Sequence, residues 1–267
     1  MPDFEHGNAV NVTTEIEQLE ICGSTFSVSR PHSFGLVING LSTDSDEKSQ
    51  LDYLHEVLLA NAGRDEFLDL IDAEGLVVCK NVHTEAPTYR KVRGKSSHGK
   101  LSQAEYYHHD GCSCPTKPRV VEIRMPYQII DRNVHTAVAH FPEVVKAMLM
   151  ALPKRLLADQ ELLEFHDSFS GDLKDFPPVE AWDKIQGRVT RLVRREMNAE
   201  SCRLYFREVD QLANAYVLPW EMGESRLMVN HADNLAKTMQ HRRAYQKPRE
   251  ANEQNGSLVK RWTAEEA

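Results

Sequence analysis

The chain has 267 residues, with 32 Lys and Arg against 40 Asp and Glu, and a formal net charge of −8. Hydrophobic residues make up 41% and charged residues 27%, ordinary values for a folded globular protein, which excludes a disordered, collagen-like or low-complexity chain. The acidic balance argues against nucleic acid as the main partner, because phosphate binding wants a basic face.

Residues 1–22 read as an N-terminal extension, and the rest as a single domain without a Pro/Gly/Ser linker. Ser24–Ser29 and Gly35–Ile38 read as short strands closed by Asn39-Gly40. Asp44–Asn61 carries apolar residues Leu51, Leu54, Val57 and Leu58 at spacings of three and four, which predicts a helix. A second short helix is predicted over Asp65–Ile71, then a buried apolar strand over Gly75–Cys79. Residues 81–107 hold Pro87, Gly94, Gly99 and little periodicity, and so predict a long functional loop, an active-site lid. Val120–Met125 reads as a strand, and Phe141-Pro142 opens a helix that runs to Leu152. Ile185, Val189, Leu192, Val193 and Met197 form an amphipathic stripe, with Arg188, Arg191, Arg194 and Arg195 on the side expected to face solvent. Arg203–Phe206, Tyr216–Leu218, Arg226–Asn230 and Leu258–Trp262 read as strands. The second half mixes strands with two helices and shows no βαβ rhythm, which favours a sandwich or barrel with added helices over a doubly wound sheet.

Several signatures fail. Gly94-Lys95-Ser96 lacks the upstream glycine of a phosphate loop, since residue 89 is Tyr89. His55-Glu56 lacks the second histidine of a zinc-protease helix, since residue 59 is Leu59. The cysteines Cys22, Cys79, Cys112, Cys114 and Cys202 are scattered and odd in number, unlike a secreted disulfide framework. The start, MPDFEHGNAV, has no apolar signal core, and no run approaches the ~18 apolar residues of a membrane helix. The expectation is a cytoplasmic protein that takes a small-molecule substrate, with neither nucleic acid nor membrane as partner and a homodimer allowed.

The informative segment is Tyr106-Tyr107-His108-His109-Asp110-Gly111. On a strand, His108 and Asp110 point to one face. An imidazole and a carboxylate there grip one metal from adjacent corners, and a distant His completes a 2-His-1-carboxylate triad of the kind that holds non-heme Fe(II). His109 faces the other side by the same alternation. Downstream, Asp233-Asn234 is followed by His241 on a returning strand. His231 is a rival distal ligand. Cys112-x-Cys114 beside the histidines admits a zinc cluster, although the spacing is tighter than in zinc modules and no second pair follows.

With these landmarks in order, the chain resembles the Fe(II)/2-oxoglutarate-dependent oxygenases of the taurine dioxygenase family, including its isonitrile-forming members that oxidise amino-acid derivatives. The resemblance spans about Gly75 to Trp262. It is carried by Gly75-Leu-Val-Val-Cys-Lys-Asn, the H-x-D-G segment at His108, Val134-His135-Thr136-Ala137, Phe141-Pro142-Glu143, and the D-N…H segment ending at His241. It implies a mainly β fold with flanking helices and a double-stranded β-helix (jelly-roll) core. It implies that His108, Asp110 and His241 ligate Fe(II), and that Thr136 and Arg261 hold the distal carboxylate of 2-oxoglutarate. The family carries a second Arg four residues before this one, where this chain has Ser257; Arg243 and Arg249 are alternative anchors. The implied activity is O2-dependent oxidation of a small organic substrate through a ferryl intermediate, with release of succinate and CO2. An amino acid or derivative in specialised metabolism is the implied substrate class. An Asp at 110 argues against halogenation, which needs that position vacated. Tyr107, Arg203 and Tyr205 are the candidate substrate contacts, the last two because alternation on a strand would place them on one face. Trp220 and Trp262 read as core. Two rivals remain: a non-catalytic ligand-binding member of the same fold, and a zinc-binding protein built on Cys112 and Cys114.

Overall fold

The computed structural model describes residues 15–21, 23–39, 64–80, 101, 105–109, 118–125, 134–157, 162–164, 179–220, 224–230, 237–245 and 258–263. The helix expected over Asp44–Asn61 lies outside these residues, as does most of the expected lid.

Two sheets carry the described fold. The larger has seven strands in the order β1 (Glu17–Ile21), β2 (Ser24–Ser29), β3 (Leu36–Ile38), β4 (Leu76–Cys79), β8 (Glu224–Val229), β5 (Pro118–Met125) and β10 (Leu258–Thr263). The smaller runs β7 (Tyr216–Pro219), β6 (Val134–His140), β9 (Met239–Tyr245). Around them lie α1 (Arg64–Glu74), α2 (Phe141–Met150), α3 (Val179–Glu196) and α4 (Ala199–Leu212). The class is mainly sheet with flanking helices, as expected. Among the described residues, no helix is long and apolar enough to cross a membrane.

Most strands form where their composition predicts. Leu76–Cys79 is an uninterrupted apolar run and is buried along its whole length at the centre of the large sheet. The turn before it needs a glycine. Gly75 has φ +73°, and a Cβ there would meet Met239 Sδ at 3.1 Å. Residues 17–21, expected in an N-terminal extension, instead form the edge strand β1, with Leu19 opposite Phe26. β3 and β4 run parallel, Leu36 opposite Val77. The other described pairs are antiparallel. Parallel neighbours need a crossover, and α1 lies on it, burying Phe67, Leu68 and Ile71 in the core of the large sheet.

One expected strand is a helix. Arg203–Phe206 lies inside α4. Cys202, Tyr205, Phe206 and Val209 are buried at spacings of three, one and three, a helical stripe that outweighs the strand-like look of four residues taken alone. Asn198 caps this helix, its side-chain oxygen accepting from Ser201 N at 2.8 Å.

The core divides along the small sheet. Val138, Leu218 and Met239 pack in one cluster with Val121, Met228 and other residues of the large sheet. Ala137, Ala139 and Ala244 pack in a second cluster with α2, α3 and α4. Strand alternation therefore gives the small sheet an inner face toward the large sheet and an outer face toward the helices.

Candidate metal and co-substrate site

The site grows from one short contact. Residues 107–109 lie along β9 through a single antiparallel bridge between His108 and His241. His108 N donates to His241 O at 3.1 Å, and His241 N donates to His108 O at 3.0 Å. Residues directly opposite in such a pair share a face. Met239, two residues before His241, packs in the core between the sheets, so His241 faces inward and His108 with it. Their rings meet, with centroids 4.4 Å apart and planes at 54°.

Each ring is conditioned by its surroundings. His108 Nδ1 is 2.7 Å from Tyr106 O. A carbonyl only accepts, so Nδ1 carries the proton and Nε2 presents the lone pair, the arrangement that orients a ligating histidine. Burial holds His241 well below the usual histidine value, reinforced by the adjacent His108 and His109. A neutral imidazole is the form that ligates metal. Asp110, His231, Cys112, Cys114 and Arg249 lie outside the described residues. Among the described residues, no group of three or more His, Cys, Asp or Glu side chains gathers as a metal cluster. Two imidazoles on one inward face are a donor pair of the kind a divalent transition metal accepts.

Thr136 lies on β6, buried, opposite Arg243 on β9. Val138 stands opposite His241 in the same ladder. Thr136 and Val138 share a face, and so do Arg243 and His241. Thr136 and Arg243 are thus the next inward-facing pair along from His241. Arg243, an alternative anchor in the sequence, is half-buried there. Arg261 lies on β10, opposite Val121 of β5 in the large sheet.

The remaining expected contacts have other places. Tyr107 faces outward, where its hydroxyl donates to Asp210 Oδ1 at 2.7 Å. Burial, then the nearby Asp210 charge, holds the Tyr107 hydroxyl well above its ordinary value. Tyr205 is buried in α4, and its hydroxyl donates to Met148 O at 2.5 Å. Arg203 pairs with Glu105, Nε to Oε1 at 3.6 Å. On a helix, residues two apart do not share a face, so the alternation that grouped Arg203 with Tyr205 does not apply. The end of the expected lid is core: Leu101, Tyr106 and Tyr107 pack in the helix-side cluster. His109 faces outward as expected, edge-on to Phe141 with centroids 6.2 Å apart and Nδ1 3.3 Å from Gln240 Nε2. Arg191, Arg194 and Arg195 are exposed on α3, with Arg194 lying over the Tyr106 ring at 5.2 Å. Asp210 and Gln186, which hold the outward neighbours of the histidine pair, carry no motif in the sequence; their only signal is a polar residue at a buried helical position.

No protein-family model and no curated protein matches the sequence. Among solved structures, the chain is similar to AAD-2 in complex with Mn(II) and N-oxalylglycine, at 12% identity and a TM-score of 0.42, covering 90% of this chain and 97% of that one. It is similar, too, to a Burkholderia xenovorans protein assigned as an alpha-ketoglutarate-dependent 2,4-D dioxygenase, at 12% identity and a TM-score of 0.41, covering 90% of this chain and 98% of that one. Overlap this loose transfers neither a ligand nor a residue role.

Proposed function

We propose that this chain is an Fe(II)- and 2-oxoglutarate-dependent oxygenase with a double-stranded β-helix core. The observation that carries the proposal is the inward-facing His108–His241 pair, two imidazoles from distant segments held ring to ring. His108, His241 and Asp110 would hold the iron. Thr136 would donate a hydrogen bond to the distal carboxylate of 2-oxoglutarate. Arg261 would pair with that carboxylate through its guanidinium fork, with Arg243, opposite Thr136, as the second candidate. Bound there, iron, 2-oxoglutarate and O2 supply the oxidising chemistry, with succinate and CO2 as co-products.

The chain's own part is orientation of the donors. The site face is backed by the apolar core between the sheets, and His241 is buried against it. Tyr106 O fixes the tautomer of His108. We further propose an amino acid or amino-acid derivative as substrate, on the strength of the sequence resemblance.

Anaerobic addition of Fe(II) and then 2-oxoglutarate to metal-free protein tests the assignment. A weak visible charge-transfer band should form, vanish in His108→Ala, Asp110→Ala and His241→Ala, and persist in His231→Ala. Absence of the band in the unmutated protein, with zinc retained instead, would overturn the proposal.

A further inference from the structure

Among the described residues, the backbone does little to hold the histidine pair in register. Residues 107–109 meet β9 through one bridge and its two hydrogen bonds. A slip of one residue would turn His108 toward the helices and bring a neighbour inward, because side chains alternate with a period of two. Among the described residues, side chains are the remaining means of setting that register.

The outer face supplies them. Tyr107 precedes His108, and Arg242 follows His241, so in antiparallel register these two stand opposite one another. Asp210 of α4 holds both. Its Oδ1 accepts from Tyr107 Oη at 2.7 Å and from Arg242 Nε at 2.8 Å, and its Oδ2 accepts from Arg242 Nη2. The Arg242 guanidinium lies 5.7 Å from the Tyr107 ring centroid and 5.5 Å from that of Phe206. Asp210 and Arg242 are 8% and 4% exposed, so the pair is shielded from solvent competition. On the other side of the bridge, His109 and Gln240 stand opposite one another, and Gln186 of α3 exchanges two hydrogen bonds with Gln240, at 2.5 and 2.9 Å.

We propose that Asp210 is a positioning residue that sets the register of the 107–109 segment on β9, and through it the meeting of His108 with His241. The forked carboxylate–guanidinium geometry accepts Arg242 in one orientation, and the third bond admits the tyrosine hydroxyl only when Tyr107 is opposite. Gln186 repeats the device two residues along each strand, through Gln240 opposite His109. The histidines are thereby aimed by groups that touch neither ring. The consequence for metal binding rests on the function proposed above; the consequence for register does not.

The test separates the two. Amide hydrogen exchange is measured on the metal-free protein and on Asp210→Asn, which keeps the shape but loses the charge. The amides of His108 and His241, which donate across the bridge, should exchange at least tenfold faster in the variant, relative to the central β8 amide of Leu227. Acceleration of all three amides alike would mean general loosening and would overturn the proposal. Tyr107→Phe removes one hydroxyl and leaves the ring packing, so it covers the case in which Asp210→Asn does not fold. It should produce the same selective acceleration at smaller size, and no selectivity there overturns the proposal as well. Co(II), added alone as the probe metal, should bind about tenfold or more weakly to Asp210→Asn, with an altered visible spectrum. Unchanged Co(II) binding would overturn the link from register to metal. Failure of the unmutated protein to bind Co(II) would sink the metal-site assignment, while the exchange pattern would still decide the register.

Discussion

At the scale of single residues, the decisive property is the protonation of a buried histidine. His241 is held neutral by burial and by its proximity to His108 and His109. Its folded value lies well below 6.5, so the folded state takes up its proton later than the unfolded chain as pH falls. The sign follows. Stability from this group is fully present above pH 6.5 and is lost as pH drops below it, until the folded form also protonates. His140, held low by burial against the opposing Glu143, adds to the same slope. Urea unfolding at pH 8, 6.5 and 5.5 should show this loss, at about 1.4 kcal/mol for each full pH unit of separation between the two values. His241→Asn should flatten the dependence between pH 6.5 and 5.5. An unchanged slope in that variant would place the charged form of His241 in the folded protein and undo the account of its environment.

Among the elements, α4 carries the site from behind, and its start rests on one side chain. The Asn198 oxygen accepts the Ser201 amide, which would otherwise lack a helical partner. Asn198→Ala should cost about 1 kcal/mol, read from the urea midpoint. Asn198→Asp should cost less, because an acidic cap also suits the helix dipole. The same helix shows what a sequence does and does not disclose. β4 and α2 are legible, the first as a short apolar run and the second because Phe141-Pro142 marks a helix start. Arg203–Phe206 is not, because two aromatics and a Leu among four residues satisfy strand preference until the apolar spacing is counted over the whole fourteen-residue helix. His108 stands out beside Asp110, and His241 beside Asp233-Asn234. That the two meet across a one-residue bridge is a non-local fact that no local spacing encodes. Asp210 and Gln186 are less visible still. A lone polar residue on the buried side of a helix has the same appearance in sequence whether it caps, pairs or merely tolerates its place.

For the whole molecule, the question is what fixes the spacing and height of the two sheets against each other. Apolar contact between them is plentiful but not directional. Direction comes from Arg226, fully buried on β8 of the large sheet. Its guanidinium bonds Glu224 on its own strand. It then reaches the small sheet, donating to Leu218 O at 3.2 Å and to Pro219 O at 2.6 Å on β7. It stacks on the Trp220 ring at 3.6 Å, which accounts for that tryptophan as core. One side chain thus ties the sheets at a fixed height, with its charge matched by a carboxylate and two carbonyls. Arg226→Met keeps the length and apolar stem but strips the charge from beside buried Glu224, and should cost about 3–5 kcal/mol in urea unfolding. Adding Glu224→Gln should recover part of that loss, because the uncompensated charge is then gone while the carbonyls still lack their donor. A double variant no more stable than Arg226→Met would mean that the tie to β7, rather than the burial of Glu224, dominates the penalty. A single variant that loses less than about 1 kcal/mol would mean that apolar packing alone sets the spacing of the sheets.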